Sequence, residues 1–438
     1  MSHISADSGG TPLRRFPQLA AQNIAFPAGS GKSVALTLMV LGLAAIALAG
    51  IAGIMGIGQI WARQVLAAYH IGTMAVLAMC LGALFFVMVF HLTNAGWTGT
   101  IRRQFENVMS FLPFAVLMIV PTLVIEIALD GRLFAWMGEE ATHNFLMQKK
   151  APFFFLNQEF GPGLDPFPLF WVLRSVLYLA VWTFLSRRLI QLSREQDRTA
   201  SSGPTAKARF LSAWGLLVFA LTTAFAAFDW LMSMDYTFFS TMWGVYYFAG
   251  AAFSSAGLMV LIFAVLRSRG KLEGAVLPEH FHDMGKLMFT FTIFWSYIAF
   301  SQYFLIWYSN IPEETAFYLH RNAGPWKALG VFLIFGHFVI PFLILLFRKV
   351  KRNYRLLSVM AVWAILVEVA DLYWIVRPMV YAKAEQTPGA IGVAVDVLAI
   401  AGVLAIFAGY LVLKVPAGPL VAVNDLRMEE ALGHKNYV

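Results

Sequence analysis

The sequence has few charged residues and long stretches with none. Of its 438 residues, 13% are Asp, Glu, Lys or Arg, whereas 59% are hydrophobic. Soluble globular proteins carry roughly 25% charged residues, so this composition excludes an ordinary soluble domain. The apolar stretches are continuous runs of about 20 residues, as transmembrane helices need, and not the alternating segments of about 10 residues typical of a barrel. The sequence therefore predicts an all-α polytopic membrane protein.

Cysteine is nearly absent, since Cys80 is the single one. One thiol cannot ligate an iron–sulfur cluster, close a disulfide within the chain or form the CxxCH motif that attaches haem c. Redox cofactors of those kinds would therefore have to lie on partner subunits, and no metal site is predicted in this chain. Residues 1–32 contain no central apolar run, so no cleavable signal peptide is expected.

Ten apolar stretches are long enough to cross a bilayer. Residues 1–32 and 414–438 flank the predicted transmembrane domain, 33–413, and the polar stretch 193–207 predicts a flexible connection between two halves. The predicted spans are 33–56, 66–90, 105–128, 167–190, 209–231, 242–266, 286–308, 328–348, 356–376 and 391–413.

Basic residues predict the orientation. Most of the 32 lysines and arginines lie at the chain ends and in the loops after spans two, four, six and eight. Loops enriched in Lys and Arg stay in the cytoplasm, so both termini are predicted to be cytoplasmic. The net charge of +8 is thereby explained by orientation, and no nucleic-acid binding is expected.

Several ionisable residues lie inside the predicted spans, mostly in the half remote from the termini. A carboxylate at the membrane centre costs about 2.5 to 3.5 kcal/mol on insertion scales, so these acids should face partners or a wet cavity. Carboxylates, hydroxyls and a histidine are the groups that build a proton path. Arg174 is interpreted as a structural counter-ion to one of the acids. The proton-path candidates are Glu126, Glu368, Asp371, Asp229, His337, Thr122 and Asp396.

Other interpretations of these residues stay open. Asp229 and Asp371 lie beside Trp230 and near Trp374, so both can instead be interfacial acids in an aromatic belt. His337 can equally be a hydrogen-bonded core histidine. A b-type haem would need two histidines at matching depth, which the positions in the chain do not provide.

Aromatic and hydrogen-bonding residues end the seventh span. The run FSQYFLIWYSNIPEE, from Phe300 to Glu314, can border a quinone headgroup pocket, although an aromatic anchor at the water boundary is the commoner use. If this chain held a quinol itself, the candidate residues would be His70, Asp229 and Tyr303.

Four segments carry a resemblance to a known family. They are the FSQYFLIWYSNIPEE run, AFDWLMSMDYTFFSTMWGVYYFAG from Ala227, DMGKLMFTFTIFW from Asp283 and GHFVIPFLILLFRKVKR from Gly336. Together they resemble the F-type membrane subunit of bacterial alternative complex III, within the NrfD-like, polysulfide reductase membrane-subunit superfamily. The resemblance extends over nearly all of the chain.

The resemblance implies an integral subunit of a quinol:cytochrome c oxidoreductase in the bacterial plasma membrane. Its partners would be a paralogous NrfD-like subunit, associated with quinol oxidation, and subunits that carry iron–sulfur clusters and haem c. The F-type subunit would be free of cofactors and contribute a proton-conducting path. Its fold would be two four-helix bundles, spans two to five and six to nine, with peripheral first and last helices.

Two other functions remain as alternatives: a subunit that itself binds quinol, and a secondary transporter. Transporters often carry broken spans at paired positions of two halves. Pro113 and Pro121 lie in span three, but span seven, its counterpart, has no proline. This pattern disfavours the transporter.

Overall fold

The computed structural model describes residues 16–56, 62–129, 131, 133–156, 159–164, 166–381 and 388–436. Within these ranges the chain is helical, with connecting turns and no strand. Residues 1–15 of the predicted N-terminal segment lie outside the described residues.

Ten helices among the described residues are long and apolar enough to cross a membrane, which confirms the predicted fold class. A helix of 23 residues, the shortest length here, is about 35 Å long and so exceeds a hydrocarbon core of about 30 Å. Spans one to ten are Lys32–Ile54, Ala62–Leu92, Arg102–Ala128, Leu169–Thr199, Gly203–Met234, Trp243–Ser268, Pro278–Ser309, Gly324–Leu346, Tyr354–Val380 and Ala390–Ala417.

Most span ends lie within a few residues of the prediction, and the largest differences are helical extensions. Span four continues to Thr199 and span five begins at Gly203, so the flexible connection predicted over 193–207 is wrong. Only 200–202 separate the helices, and Ala200 ends span four in the left-handed conformation, with a φ of 51°. The polar residues of 193–207 lie beyond the apolar part of the two spans, but most of them are still helical.

Shorter helices lie in the connections between spans and at the chain ends. Asn144 caps Phe145–Phe155, because its side chain accepts hydrogen bonds from the Leu146 and Met147 amides. The short α-helices are Ala21–Ile24, Glu139–Thr142, Phe145–Phe155, Pro312–Arg321, Arg348–Arg352 and Met428–Leu432. The 3₁₀ turns outside the spans are Pro17–Leu19, Gly96–Thr98 and Ala135–Met137.

The spans form two rings of four helices. Spans two, three, four and five contact one another in order, with five closing back on two, and spans six to nine form a second ring in the same way. The rings meet along spans two and six, the most buried helices, while spans one and ten pack on each other at the periphery. These contacts match the predicted pair of bundles.

Small residues allow the central helices to approach closely. A Cβ atom added to Gly82 of span two would overlap the Ala251 carbonyl and the Ser255 side chain of span six. Gly42 and Gly402 make the same kind of approach between spans one and ten. Without a hydrophobic drive between helices in lipid, such packing supplies much of the association.

Both described chain ends lie on one side, here called the basic side, because the number of spans is even. The C-terminal segment is fastened across this side. The Leu420 amide donates to the Ile24 carbonyl at 2.8 Å, Asp425 pairs with Arg102 at 2.6 Å, and His434 contacts Asp283 at 2.5 Å. The other face of the bundle is called the opposite side.

Candidate functional site

Span eight is distorted where it carries its histidine. Ile334–Val339 forms a π-helical turn between two α-helical segments, and His337 lies in it, fully buried. Pro341 follows and has no amide hydrogen to donate to the His337 carbonyl, which favours such a distortion. Single π turns within α-helices are frequent at functional sites.

Three ionisable side chains meet at this turn. Glu368 and Asp371 are three residues apart on span nine and share the helix face turned toward His337. One nitrogen or oxygen atom of each side chain lies within 4.8 Å of the others, and all three residues are buried. His337 Nε2 lies 3.7 Å from Glu368 Oε2. We call these three residues the acid–histidine cluster.

Two neutral donors orient Asp371. The Tyr246 hydroxyl donates to Oδ1 at 2.5 Å, and the Trp295 indole NH donates to Oδ2 at 3.2 Å. The Trp295 rings also stack on the His337 imidazole, 3.8 Å between centroids and 15° from parallel. Spans six, seven, eight and nine therefore each contribute a side chain to the site.

Glu368 occupies space that a glycine leaves free. A Cβ atom at Gly250 would overlap the Glu368 carboxylate, so this acid lies directly against span six. Within the described residues, Glu368 Oε2 and both ring nitrogens of His337 are buried without a hydrogen-bond partner. Buried polar groups are nearly always satisfied by protein or ordered water, so these atoms have capacity for protons or water.

No lysine or arginine of the described chain forms an ion pair with either carboxylate of the cluster. Arg321, in the connection between spans seven and eight, instead donates to the backbone carbonyls of Phe317, Trp374 and Ile375. Burial lowers the pKa of Arg321 to about 9, although the negative charge of Asp235 opposes the shift. Arg321 thus remains a cation at neutral pH, but its hydrogen bonds are made to the backbone.

Asp229 of the first bundle has the opposite environment. Arg174 holds it with a fork, Nε at 2.9 Å from Oδ2 and Nη2 at 2.7 Å from Oδ1, and the Tyr178 hydroxyl donates to Oδ2 at 2.7 Å. The Arg174 guanidinium also lies 3.9 Å from the centre of the Phe153 ring. Asp229 is fully buried within the protein, and its charge is matched by a fixed cation.

Asp396 is paired in a similar way at the edge of the protein. Arg377 Nε lies 2.8 Å from its Oδ2, and the Tyr373 hydroxyl donates to the same oxygen at 2.7 Å. Sequence reasoning missed Arg377 because it lies one residue beyond the predicted end of span nine. Arg377 lies four residues after Tyr373, on the same helix face, and this spacing could have indicated that both side chains reach the same partner.

Glu126 and Thr122 lie apart from the cluster, in the first bundle. Glu126 Oε2 accepts hydrogen bonds from the backbone amides of Leu133, at 2.8 Å, and Phe134, at 3.0 Å. The carboxylate thereby holds the turn that follows span three. Thr122 is fully buried one helical turn before it. Glu126 and Glu368 therefore do not share a site.

The residues predicted for a quinol headgroup are not brought together. His70 is fully buried, its Nε2 is 2.9 Å from the Trp230 carbonyl, and it belongs to the first bundle with Asp229. Tyr303 is 48% exposed and belongs to the second bundle. Asp229 is already engaged by Arg174 and Tyr178, which leaves no acid among these three free for a headgroup.

Tyrosines continue from the cluster toward the opposite side. Burial raises the pKa of Tyr318, the charge of Arg321 opposes this shift, and Tyr303 and Asp371 add to it. The rings of Tyr318 and Tyr303 are 5.2 Å apart, and Tyr303 reaches the surface.

Toward the basic side the interior of the same bundle is mainly apolar. Spans seven, eight and nine fill it there with buried Met284, Met288, Leu345, Leu357 and Met360. The buried hydroxyls of Ser254 and Thr292 there donate to the Gly250 and Met288 carbonyls of their own helices. The cluster thus has tyrosines toward the opposite side and mainly apolar packing toward the basic side.

No protein-family model matches the chain, and no curated protein matches it. The described residues contain ten helices that are long and apolar enough to cross a membrane, so the chain is an integral membrane protein whose outward helix faces contact lipid.

Proposed function

We propose that the chain is an integral membrane subunit of a quinol:cytochrome c oxidoreductase of the alternative complex III type. In this proposal it lies in the bacterial plasma membrane with its basic side in the cytoplasm, beside a paralogous NrfD-like subunit. Quinol, iron–sulfur clusters and haem c belong to partner subunits. The four resembling segments and the pair of four-helix bundles support this assignment.

Within that complex, the acid–histidine cluster binds and releases protons as part of a half-channel. The observation that carries this proposal is the burial of two carboxylates and an imidazole within 4.8 Å, with no fixed cation among the described residues. Two carboxylates cannot both be charged in a dry interior without compensation, so the cluster retains protons that its members share. Groups with a shared, exchangeable proton are the material of a relay.

The surroundings of the cluster support one side of the membrane as the side with which it exchanges protons. The Tyr246 hydroxyl donates to Asp371, the rings of Tyr318 and Tyr303 continue toward the opposite side, and mainly apolar side chains lie between the cluster and the basic side. Protons would therefore exchange with the opposite side. The transporter alternative is less supported, since span seven is one unbroken helix.

The test is Glu368→Gln in the assembled complex, reconstituted into vesicles. The amide keeps the shape of the side chain but cannot exchange a proton, so proton translocation should fall at least tenfold while quinol oxidation persists. Glu313→Gln, at an exposed site on the opposite side, is the matched control and should change neither. Unchanged translocation in Glu368→Gln would overturn the assignment of the cluster.

The subunit composition of the purified complex tests the proposed assembly separately from the proposed role of the cluster. If the purified chain never copurifies with subunits that carry haem c and iron–sulfur clusters, the proposed complex is wrong, whatever the cluster does.

A further inference from the structure

A basic cavity opens at the corner where the second bundle meets the basic side. Its volume is about 450 Å³, and its wall includes Arg267 at the end of span six and Phe281 at the start of span seven. The rest of the wall includes Lys349 and Arg352, from the helix Arg348–Arg352, and Tyr354, the first residue of span nine. The acid–histidine cluster lies deeper in the same bundle and shares no residue with this cavity.

The cavity has more positive than negative charge. Arg352 is neutralised by Glu279, whose Oε1 lies 2.7 Å from its Nη2. Arg267 donates only to the Val276 carbonyl, at 3.1 Å, and its guanidinium lies 5.4 Å from the centre of the Tyr354 ring. In the described part of the chain no carboxylate pairs with Arg267 or Lys349, so about two positive charges remain uncompensated.

Two helix N-termini meet the same space. Span seven begins at Pro278, which lines the cavity, and span nine begins beside it at Tyr354. The N-terminal end of a helix carries a partial positive charge and therefore favours an anion. The Arg355 and Leu356 amides of span nine already donate to the Asn353 side chain, so the helix ends contribute their dipoles and not free donors. Here the helix ends add to side-chain cations already present in a formed cavity.

The walls of the cavity continue into the surface that faces lipid. Val265, Leu346, Phe347 and Leu356 belong to the same helix ends and expose 57%, 54%, 63% and 51% of their side chains. A ligand that fills the cavity with its charged part would therefore find apolar surface for an attached hydrocarbon chain. Basic pockets between helix ends at the membrane boundary suit anionic lipid headgroups.

We propose that this cavity binds the phosphate of an anionic phospholipid. The phosphate oxygens take the donors of Arg267 and Lys349, and the acyl chains lie along the apolar helix ends. Free inorganic phosphate carries the same anion without the chains, so the experiment has to separate the two sources.

The test uses the full-length chain purified in detergent and placed in nanodiscs of neutral phosphatidylcholine, with phosphatidylglycerol as the titrated probe. The double variant Arg267→Gln/Lys349→Gln should bind phosphatidylglycerol about 30-fold more weakly, since each Lys or Arg near the membrane surface contributes about one kcal/mol. The control Lys207→Gln/Arg209→Gln removes the same charge at exposed positions outside the cavity, also on the basic side, and should change the affinity less than threefold.

Three results would overturn the proposal. Equal losses in both double variants would mean general surface attraction, and no loss in the first would mean that the cavity is not the site. Displacement of phosphatidylglycerol by millimolar inorganic phosphate would mean a site for a soluble anion. If the double variant does not fold, as judged by circular dichroism and thermal unfolding, Lys349→Gln alone should weaken binding about fivefold, and an unchanged affinity would count against the proposal.

Discussion

Removal of one buried carboxylate should lower the stability of the protein strongly in the first bundle and only slightly in the second. Asp229→Asn leaves the Arg174 guanidinium without the carboxylate that its Nε and Nη2 grip at 2.9 and 2.7 Å. Breaking a buried pair in this way costs about 3 to 5 kcal/mol, because the remaining charge stays buried. Glu368→Gln leaves no such cation behind, so the free energy of unfolding should change by no more than about 1 kcal/mol.

The assay is reversible unfolding of the purified chain in mixed micelles with increasing dodecyl sulfate, followed by circular dichroism. The free energies of the two single variants are compared at the same micelle composition. Arg174→Gln/Asp229→Asn is the matched double variant: it removes both charges and should recover part of the loss, which gives a coupling energy for the pair.

Two results would refute the reasoning. If Glu368→Gln destabilised the chain as much as Asp229→Asn, a cation would have to be paired with Glu368, and the cluster would be an ordinary ion pair. If Asp229→Asn were neutral, the short contacts to Arg174 would not carry a charge interaction.

Two further substitutions test the packing and the hydrogen bonding of the cluster. Gly250→Ala places a methyl group into the space of a cluster carboxylate and should destabilise the chain by about 1 to 3 kcal/mol, whereas Gly50→Ala, where a Cβ atom meets nothing within 4 Å, should not destabilise it in the same unfolding assay. Tyr246→Phe removes a hydroxyl that donates to a buried carboxylate and should cost about 1 to 3 kcal/mol and slow proton translocation. Tyr247→Phe, whose hydroxyl contacts only the Met74 carbonyl, serves as its control: stability should fall by about 1 kcal/mol with translocation unchanged, and equal slowing in both variants would contradict a role for Tyr246.

The number and approximate position of the spans follow from the sequence, because a run of about 20 apolar residues is itself the physical requirement for crossing a bilayer. Helix ends beyond the bilayer do not follow in this way. Span four continues to Thr199 and span seven begins at Pro278, since polar helices can project into water once their apolar part is anchored.

The partners of the buried acids were only partly predictable. Glu368 and Asp371 share a helix face by their spacing, but nothing in the spacing says that His337, on another span, meets them. The π turn that carries His337 depends on packing between helices. Tyr246 and Trp295 lie in aromatic runs with several equivalent neighbours, so their hydrogen bonds to Asp371 could only be found from the fold.

The central claim, that the acid–histidine cluster holds an exchangeable proton, is tested most directly by infrared difference spectroscopy of the carboxylic C=O stretch. Spectra of the reconstituted complex are recorded between its resting state and turnover with quinol. The account predicts a protonated-carboxyl band that changes during turnover and is lost in Glu368→Gln/Asp371→Asn. The band should persist in Asp396→Asn, because the Asp396 carboxylate is paired with Arg377 and does not belong to the cluster. A band that survives the cluster double variant, or that never changes during turnover, would contradict it.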